Sequence, residues 1–409
     1  MLGLGLITGA ADDDPSAVGT YAAAGARFGY GLLWMAPFTL PMMFTVVYLS
    51  AKLAMVSGRG LFHAIRDFYP RWVLYPLLAG VIFGNVVEAA ADLGGMAAAL
   101  NLFVPAPIPW LVAALGVGVL ALQCFAPYEV IRNVFRWLAL ALLAYVGAAI
   151  LARPDLRQVL RGVVAPRMSL DSEYLSLVVA MIGTTLSAYL YTWQSNQEVE
   201  EEIVQGRTTV RQRQGASRSE LRSTRRDVLA GMVVSNLIMF SIMVATGTTL
   251  HASGRTQIES AAQAAQALRP LAGDAAGLLF ATGVVGVGLL AVPVMTAGAA
   301  YDIAQTFGWK HSLHARPRQA KAFYGLVALV TAIAIGLNTL GFNPMKALVW
   351  SGIVQGFSVP PLLLLIMLMT NDRRIMGDQV NKRGLNVLGW ATTAVVTAAT
   401  VTLVVVWLS

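Results

Sequence analysis

The sequence predicts an all-α polytopic membrane protein, and three observations support this fold class. Of the 409 residues, 57% are hydrophobic and only 12% are charged, and the mean hydropathy is +0.65. The apolar residues form long runs, and a helix needs about 20 such residues to cross the hydrocarbon core of a bilayer. Two of the runs contain helix-breaking residues, which is typical of proteins that bind a substrate inside the membrane.

Eleven apolar segments have the length of a membrane span. They cover approximately residues 2–28, 30–56, 74–102, 108–126, 134–152, 174–195, 228–250, 275–306, 322–338, 346–370 and 386–408. Eleven spans fit a transporter with two inverted repeats of five helices and one additional helix. The predicted divisions are a first repeat over 1–152, an extracellular loop over 153–173, a second repeat over 174–370, and a last span within 371–409.

The distribution of basic residues predicts the orientation of the chain. Most of the 29 Lys and Arg residues fall on the cytoplasmic side if the N-terminus is inside, so the positive-inside rule places the C-terminus outside. The loop after the fifth segment is an exception, because it is predicted to be external and yet contains four basic residues, Arg153, Arg157, Arg161 and Arg167. The charged stretch 198–227 is predicted to be a cytoplasmic amphipathic helix or a flexible linker and to contact anionic lipid. We expect the plasma membrane of a prokaryote.

The first segment is interrupted by Asp12, Asp13 and Asp14, followed by Pro15. A carboxylate at the centre of a bilayer costs about 3 kcal/mol on insertion scales, and such residues normally face a cavity. Proline removes a backbone donor and breaks the helix, which leaves carbonyl groups free to bind a ligand. Carboxylates and free carbonyls inside a membrane indicate a cation site.

The inverted-repeat hypothesis requires a second break in segment six. Gly183, Thr184, Thr185 and Ser187 lie there. Glycine is a weak helix former, and the hydroxyl groups compete for backbone partners. We therefore predict a discontinuity at this position, facing the break in segment one.

These motifs resemble those of the Nramp divalent-metal transporters. Residues 14–17 read Asp-Pro-Ser-Ala and residues 24–30 read Ala-Gly-Ala-Arg-Phe-Gly-Tyr, where the family has Asp-Pro-Gly-Asn followed at the same spacing by Ala-Gly-Ala-x-Phe-Gly-Tyr. The similarity continues at 49–53, 58–60 and 92–102 and, more loosely, at 296–298 and 357–360. The resemblance implies a LeuT-type arrangement with broken helices one and six.

The resemblance also implies metal ligands in helix one. The family binds its metal with an aspartate and an asparagine of this helix, a methionine of helix six, and carbonyl oxygens of both. Asp14 holds the aspartate position and Ala11 provides the carbonyl, whereas Ala17 stands at the asparagine position. Asp13 is expected to bind the ion as well, and Asp12 is expected to attract cations into the pathway.

In helix six, the family's carbonyl position corresponds to Thr184 and its methionine position to Ser187. The family's histidine is replaced by Tyr189. A thioether selects softer transition metals, whereas carboxylate, hydroxyl and carbonyl oxygens suit hard ions. Mg²⁺ is commonly bound with several waters retained, which a site without the methionine and asparagine side chains would accommodate. The site, with the stretch 191–200, therefore resembles a magnesium-transporting branch of the family.

Helix three contributes Glu88 and Asp92, which lie one helical turn apart on the same face. Two like charges there must face water, share a proton or bind a cation, although Glu88 could instead pair with a basic residue. The resemblance aligns Asp92 with an acidic residue of a proton relay, but the histidine of helix six is missing. We therefore predict weak or no proton coupling.

Gln355 and Ser358, in segment ten, either line the pathway or bond a neighbouring helix.

The predicted function is alternating-access transport of a partly hydrated Mg²⁺, with Mn²⁺ also carried. The metal is the substrate, and we expect a monomer without cofactor or nucleic-acid partner. One alternative is a proton-coupled Mn²⁺ or Fe²⁺ importer. A second alternative is an amino-acid or organic-cation transporter of the same fold, although the aspartates would repel a carboxylate. A membrane aspartyl protease using Asp14 and Asp92, or a channel, is disfavoured because the two repeats and the absence of a filter segment argue against them.

Overall fold

The computed structural model describes residues 3–125, 143–165 and 168–408, and the regular structure within them is helical. The principal helices are α1 (Leu4–Asp12), α2 (Pro15–Phe28), α3 (Met35–Ser57), α4 (Leu61–Phe68), α5 (Arg71–Leu100), α6 (Ile108–Phe125), α7 (Leu143–Leu151), α8 (Leu156–Val164), α9 (Ser172–Thr185), α10 (Ala188–Val204), α11 (Arg218–Thr246), α12 (Ala276–Phe307), α13 (Lys321–Leu337), α14 (Pro344–Asn371) and α15 (Arg383–Leu408).

Short helical turns connect these helices. They are Val210–Arg213, Ala261–Ala265, Arg269–Ala272 and Arg373–Met376 as α-helix, Gly247–His251 as π-helix, and Gln266–Leu268, Gly273–Ala275, Asn338–Leu340 and Gly377–Gln379 as 3₁₀-helix.

Nine stretches of the described chain are long and apolar enough to cross a membrane. They correspond to predicted segments two to four and six to eleven. Segment one consists of α1 and α2, which are each shorter than a full span. Segment five is described from residue 143 onward, and Arg167 lies outside the described residues. The predicted fold class, a polytopic bundle of helices, is confirmed.

The predicted break in segment one lies between α1 and α2. Asp13 leaves the helical conformation with ψ 42°, and Asp14 is extended with φ −62° and ψ 171°. Asp14 caps α2, and Pro15 occupies the first helical position, where its missing N–H and fixed φ are favourable. The residues that the sequence marks as helix breakers therefore end one helix and begin the next.

The predicted break in segment six lies between α9 and α10. Helix α9 ends at Thr185, and Ser187 is extended with ψ 136° before α10 begins. The Ser187 hydroxyl lies 2.7 Å from the Gly183 carbonyl oxygen and 3.1 Å from that of Thr184. A hydroxyl that bonds carbonyls of the preceding turn allows the helix to end without proline.

Small residues let the broken helices approach their neighbours closely. Helix α14 packs against α5 and α9, and a Cβ atom on Gly183 would overlap the backbone oxygen of Gly352. Helix α1 packs against α11, where Gly9 and Gly231 leave no space for side chains. Close backbone contact is the usual basis of helix association in membranes, and it holds both breaks in place.

The charged stretch 198–227 is divided between two helices. Its acidic half belongs to α10, where Glu198, Glu200 and Glu202 are buried. Its basic half starts in the short turn Val210–Arg213 and continues on α11. Ser217 caps α11 by accepting a hydrogen bond from the backbone N–H of Glu220. The structure therefore places the acidic half of this stretch at the buried end of a broken helix, and the predicted cytoplasmic location remains a prediction.

Because a Cβ on Gly183 would overlap backbone rather than a movable side chain, we expect Gly183→Ala to lower the free energy of unfolding by about 1–3 kcal/mol. Thermal unfolding in detergent measures the effect. Gly325→Ala in α13 is the matched control, since a Cβ atom added there would meet nothing within 4 Å. Equal melting temperatures for the two variants would contradict the packing argument.

Candidate metal-binding site

Asp14 joins the two broken helices. One carboxylate oxygen, Oδ1, accepts a hydrogen bond from the Ala17 backbone N–H at 2.6 Å, and Oδ2 accepts one from the Tyr189 hydroxyl at 2.9 Å. The same hydroxyl lies 2.8 Å from the carbonyl oxygen of Ala11. Since a phenol has one proton, it cannot satisfy both oxygens at once. The carboxylate of Asp14 and the carbonyl of Ala11 therefore form an oxygen-rich, fully buried corner.

Ser187 connects the second break to α5. In addition to its carbonyl contacts within α9, its hydroxyl lies 3.2 Å from Glu88 Oε1. The Thr184 hydroxyl donates to the Met181 carbonyl at 3.1 Å. The hydroxyl of Thr184 is therefore engaged within its own helix, whereas its carbonyl oxygen lies at the break beside Ser187.

Glu88 has neutral partners. Its Oε2 accepts a hydrogen bond from Gln355 Nε2 at 2.6 Å, and its Oε1 faces Ser187. Gln355 in turn accepts a hydrogen bond from Ser358 at 3.0 Å and approaches Asn85 at 3.4 Å. The structure therefore pairs Glu88 with a hydroxyl and an amide where the sequence left open a basic partner. Gln355 thus bonds a neighbouring helix and holds Glu88 at the break, whereas Ser358 bonds Gln355 within α14.

Asp92 caps the start of α2. Its Oδ1 accepts hydrogen bonds from the Ser16 backbone N–H at 2.9 Å and from the Ser16 hydroxyl at 2.6 Å, while Oδ2 has no hydrogen-bond partner. The Ser351 hydroxyl donates to that of Ser16 at 2.9 Å. Unpaired N–H groups at a helix N-terminus stabilise negative charge. Those at the start of α2 donate hydrogen bonds to two carboxyl groups, Asp14 and Asp92.

Asp12 and Asp13 meet a different helix. The Ser235 hydroxyl of α11 donates to Asp12 Oδ2 at 2.5 Å and lies 3.3 Å from Asp13 Oδ1. The other oxygen of each carboxylate has no partner. The three consecutive aspartates are thus divided, with Asp14 beside Tyr189 of α10 and the other two beside α11.

The buried charge at the breaks has no basic counterpart among the ion pairs of residues 3–125, 143–165 and 168–408. The five acids involved are all fully buried: Asp12, Asp13, Asp14, Glu88 and Asp92. Within the same residues, no three His, Cys, Asp or Glu side chains form a ready metal cluster. A cation here would use a few carboxylate oxygens together with carbonyls, hydroxyls and water.

The four histidines lie away from the two breaks. His63 is on α4, where burial lowers the pKa of its imidazole to about 4, so it is neutral at physiological pH. His251 contacts the Ala26 carbonyl oxygen at 2.9 Å, and His311 and His314 lie between α12 and α13. The position at which the family resemblance places a histidine is held by the Tyr189 phenol.

Sequence reasoning missed Ser235, Ser16 and Ser351 as partners of the acids. A single serine in an apolar helix is common in membrane bundles and gives no signal of its own. Ser16 adjoins the aspartates and could have been identified as a helix-capping residue. Ser235 and Ser351 are placed by helix packing alone.

Comparisons with known proteins show which family this chain is similar to. Residues 5–406 match the model of the Natural resistance-associated macrophage protein-like family, Nramp. The divalent metal cation transporter MntH of Deinococcus radiodurans is 30% identical over 406 residues, covering 97% of this chain and 87% of the relative. MntH of Klebsiella pneumoniae strain 342 is 27% identical over 389 residues, covering 94% of this chain and 88% of the relative.

Solved structures show the same fold at low sequence identity. The Eremococcus coleocola manganese transporter, in complex with an aromatic bis-isothiourea substituted compound, superposes with a TM-score of 0.72 at 18% identity, covering 97% of this chain and 84% of that chain. MhsT in complex with L-phenylalanine superposes with a TM-score of 0.62 at 12% identity, covering 99% and 98%. The family match and the MntH relatives confirm the predicted resemblance at the level of the family, and the chain belongs to the Nramp family of divalent metal cation transporters.

Proposed function

We propose that this chain transports Mg²⁺ by alternating access, with Mn²⁺ as a further substrate, and that a partly hydrated ion binds between the breaks of segments one and six. The observation that carries the proposal is the identity of two residues. Ala17 and Ser187 stand where the family resemblance places an asparagine amide and a methionine thioether. Both changes remove a large side chain, and the second removes the soft ligand.

The remaining ligands are hard oxygens. The proposed set consists of the Asp14 carboxylate, the carbonyl oxygens of Ala11 and Thr184, and the Ser187 hydroxyl, with Glu88 behind that serine. Carboxylate and carbonyl oxygens suit Mg²⁺ and Mn²⁺. Mg²⁺ keeps several of its waters in most protein sites, so the lack of a three-carboxylate cluster in the described chain fits an ion bound partly through water.

A second candidate is a proton-coupled importer of Mn²⁺ or Fe²⁺. The names of the relatives favour it, since two are called divalent metal cation transporter MntH and a structural neighbour is called a manganese transporter. Ligand chemistry separates the two candidates, because a transition-metal site would gain from the soft thioether that Ser187 cannot supply.

We further propose that transport has little or no proton coupling. Asp92 bonds Ser16 at the start of α2, and Tyr189, whose phenol does not titrate near neutral pH, replaces the histidine. The membrane potential supplies a sufficient driving force, about 2.3 kcal/mol per charge per 100 mV and hence about twice that for a divalent ion.

The membrane arrangement follows from the charge distribution. We propose a cytoplasmic N-terminus, an external C-terminus, a prokaryotic plasma membrane and a monomeric carrier, with the two repeats divided at the loop 153–173. Arg27 forms an ion pair with Glu173 at 2.5 Å, so the end of α2 lies against the start of α9. This contact supports the proposed topology, in which both residues lie on the external side of the membrane.

Asp14→Asn should weaken Mg²⁺ binding by about tenfold or more, because it removes the charge at the break. The asparagine oxygen can still accept the Ala17 N–H, so the helix cap is retained. Isothermal titration calorimetry on the purified protein measures the affinity. Asp171→Asn, which changes a similar cap at the start of α9, is the matched control. Unchanged Mg²⁺ binding in Asp14→Asn would remove Asp14 from the site.

Ser187→Met should shift selectivity toward softer ions, with lower Mg²⁺ uptake and higher Cd²⁺ uptake into proteoliposomes. The control is Ser187→Ala, which loses the hydroxyl without gaining a thioether and should lower Mg²⁺ uptake alone. If the wild-type protein carries Fe²⁺ and Cd²⁺ but not Mg²⁺, the magnesium proposal is wrong.

Proton coupling can be measured with a pH-sensitive dye inside the same proteoliposomes. We expect Mg²⁺ entry to rise with an inside-negative potential while the internal pH stays constant. Acidification that tracks metal entry, and disappears in Asp92→Asn, would instead support the proton-coupled importer.

A further inference from the structure

We propose that Asp12, Asp13 and Ser235 form a second cation site, separate from the one at Asp14 and enclosed between the α1–α2 break and α11. The ligand would be a hard cation, either Na⁺ or a second divalent ion, bound at the same time as the transported metal. The inference rests on the proposed function in one respect, namely that a transported cation occupies the Asp14 side of the break.

The first argument is geometric. Asp12 and Asp13 both approach the single hydroxyl of Ser235, at 2.5 and 3.3 Å. That hydroxyl has one proton and can donate to one carboxylate at a time. Two fully buried carboxylates thus converge on a group that cannot satisfy both of them.

The second argument concerns oxygen atoms without partners. Asp12 Oδ1 and Asp13 Oδ2 make no hydrogen bond. The hydroxyl of Tyr21 on α2 is likewise buried and has no hydrogen-bond partner within 3.5 Å. It interacts electrostatically with all three aspartates and lies near the Thr184 hydroxyl. Buried polar atoms are nearly always paired, and an unpaired one costs about 1–3 kcal/mol. Three such oxygens from consecutive helices indicate a ligand that they share.

The third argument is charge. Asp12 and Asp13 adjoin Asp14, and Glu88 and Asp92 lie on the helix behind it, with no ion pair to any of them in the described part of the chain. One divalent ion at Asp14 offsets two charges at most. A cation between Asp12 and Asp13 would remove their mutual repulsion and offset the free-energy cost of burying two carboxylates in the membrane. Carboxylate, hydroxyl and phenol oxygens together suit a hard ion.

The two sites would be energetically coupled through the backbone. Asp13 and Asp14 are consecutive residues of the non-helical turn, and Asp14 binds α10 through Tyr189 while Asp13 binds α11. A cation at the second site would fix the turn in the conformation that presents Asp14. Binding at either site should therefore raise affinity at the other by the same factor.

The test counts bound cations in the purified full-length protein. Equilibrium dialysis with metal analysis gives the number of Mg²⁺ ions, and thermal unfolding in NaCl, KCl or choline chloride at one ionic strength reveals Na⁺ binding. For the wild type we expect either two Mg²⁺ ions or one Mg²⁺ ion with stabilisation by NaCl. These two results identify the second ion as divalent or as Na⁺.

Variants then assign the ions to the two sites. Asp12→Asn with Asp13→Asn should remove the second ion and lower Mg²⁺ affinity at the first site, whereas Asp14→Asn should retain the second ion. If the double variant does not fold, Ser235→Ala and Tyr21→Phe replace it, because both keep the charge. Each should lower the affinity for the second ion by several-fold. Ser241→Ala is the control, since that hydroxyl of α11 bonds only the Leu237 carbonyl.

One cation in the wild type, with no effect of NaCl, would overturn the second site and leave the proposed function intact. Equal cation binding in the wild type and in Ser235→Ala and Tyr21→Phe would overturn it as well. Unchanged Mg²⁺ binding in Asp14→Asn would instead contradict the proposed function, so the two failures are distinguishable.

Discussion

The structure depends on how the membrane-spanning helices hold five buried carboxyl groups in the middle of an apolar bundle. All five are fully buried, and a charge in the hydrocarbon region of a membrane is costly. Asp14 and Asp92 are stabilised by backbone N–H groups at the start of α2. Glu88 is bonded by a hydroxyl and an amide. The partners are neutral, so a carboxylate that ionises here must be neutralised by a cation from outside the protein.

The two helix breaks make this possible. An unbroken helix would bond its own N–H and C=O groups internally and would have none to offer an acid or a metal. Ending α1 at Asp12 and α9 at Thr185 exposes those groups in the bundle interior. Glycine contacts of α1 with α11 and of α9 with α14 hold each broken helix closely against a neighbour. The Tyr189 hydroxyl then joins the two breaks directly.

Local residue chemistry explains which parts of this arrangement could be predicted. Proline after three aspartates and the hydroxyl residues around Ser187 both disfavour a continuous helix, and they stand at corresponding positions of two spans. Both breaks were therefore predictable without an alignment. The capping role of Asp14 follows in the same way. In contrast, the burial of Glu198 and Glu200 could not be predicted, because a charged stretch at the end of a span is ordinarily solvated. Contacts of α10 with α12, such as that of Glu200 with Tyr301, decide it.

The sequence by itself determined the membrane spans, the two breaks and the family, because each depends on composition or on a short motif. Only the tertiary structure decided which helix each aspartate meets. Asp12 ends α1, whereas Asp13 and Asp14 lie in the turn that follows, so different backbone dihedrals set the directions of the three side chains and no periodicity constrains them. Asp12 bonds a serine 223 positions away, and Asp14 bonds a tyrosine 175 positions away. Three identical neighbours therefore acquire different surroundings through the packing of α10 and α11 around one turn.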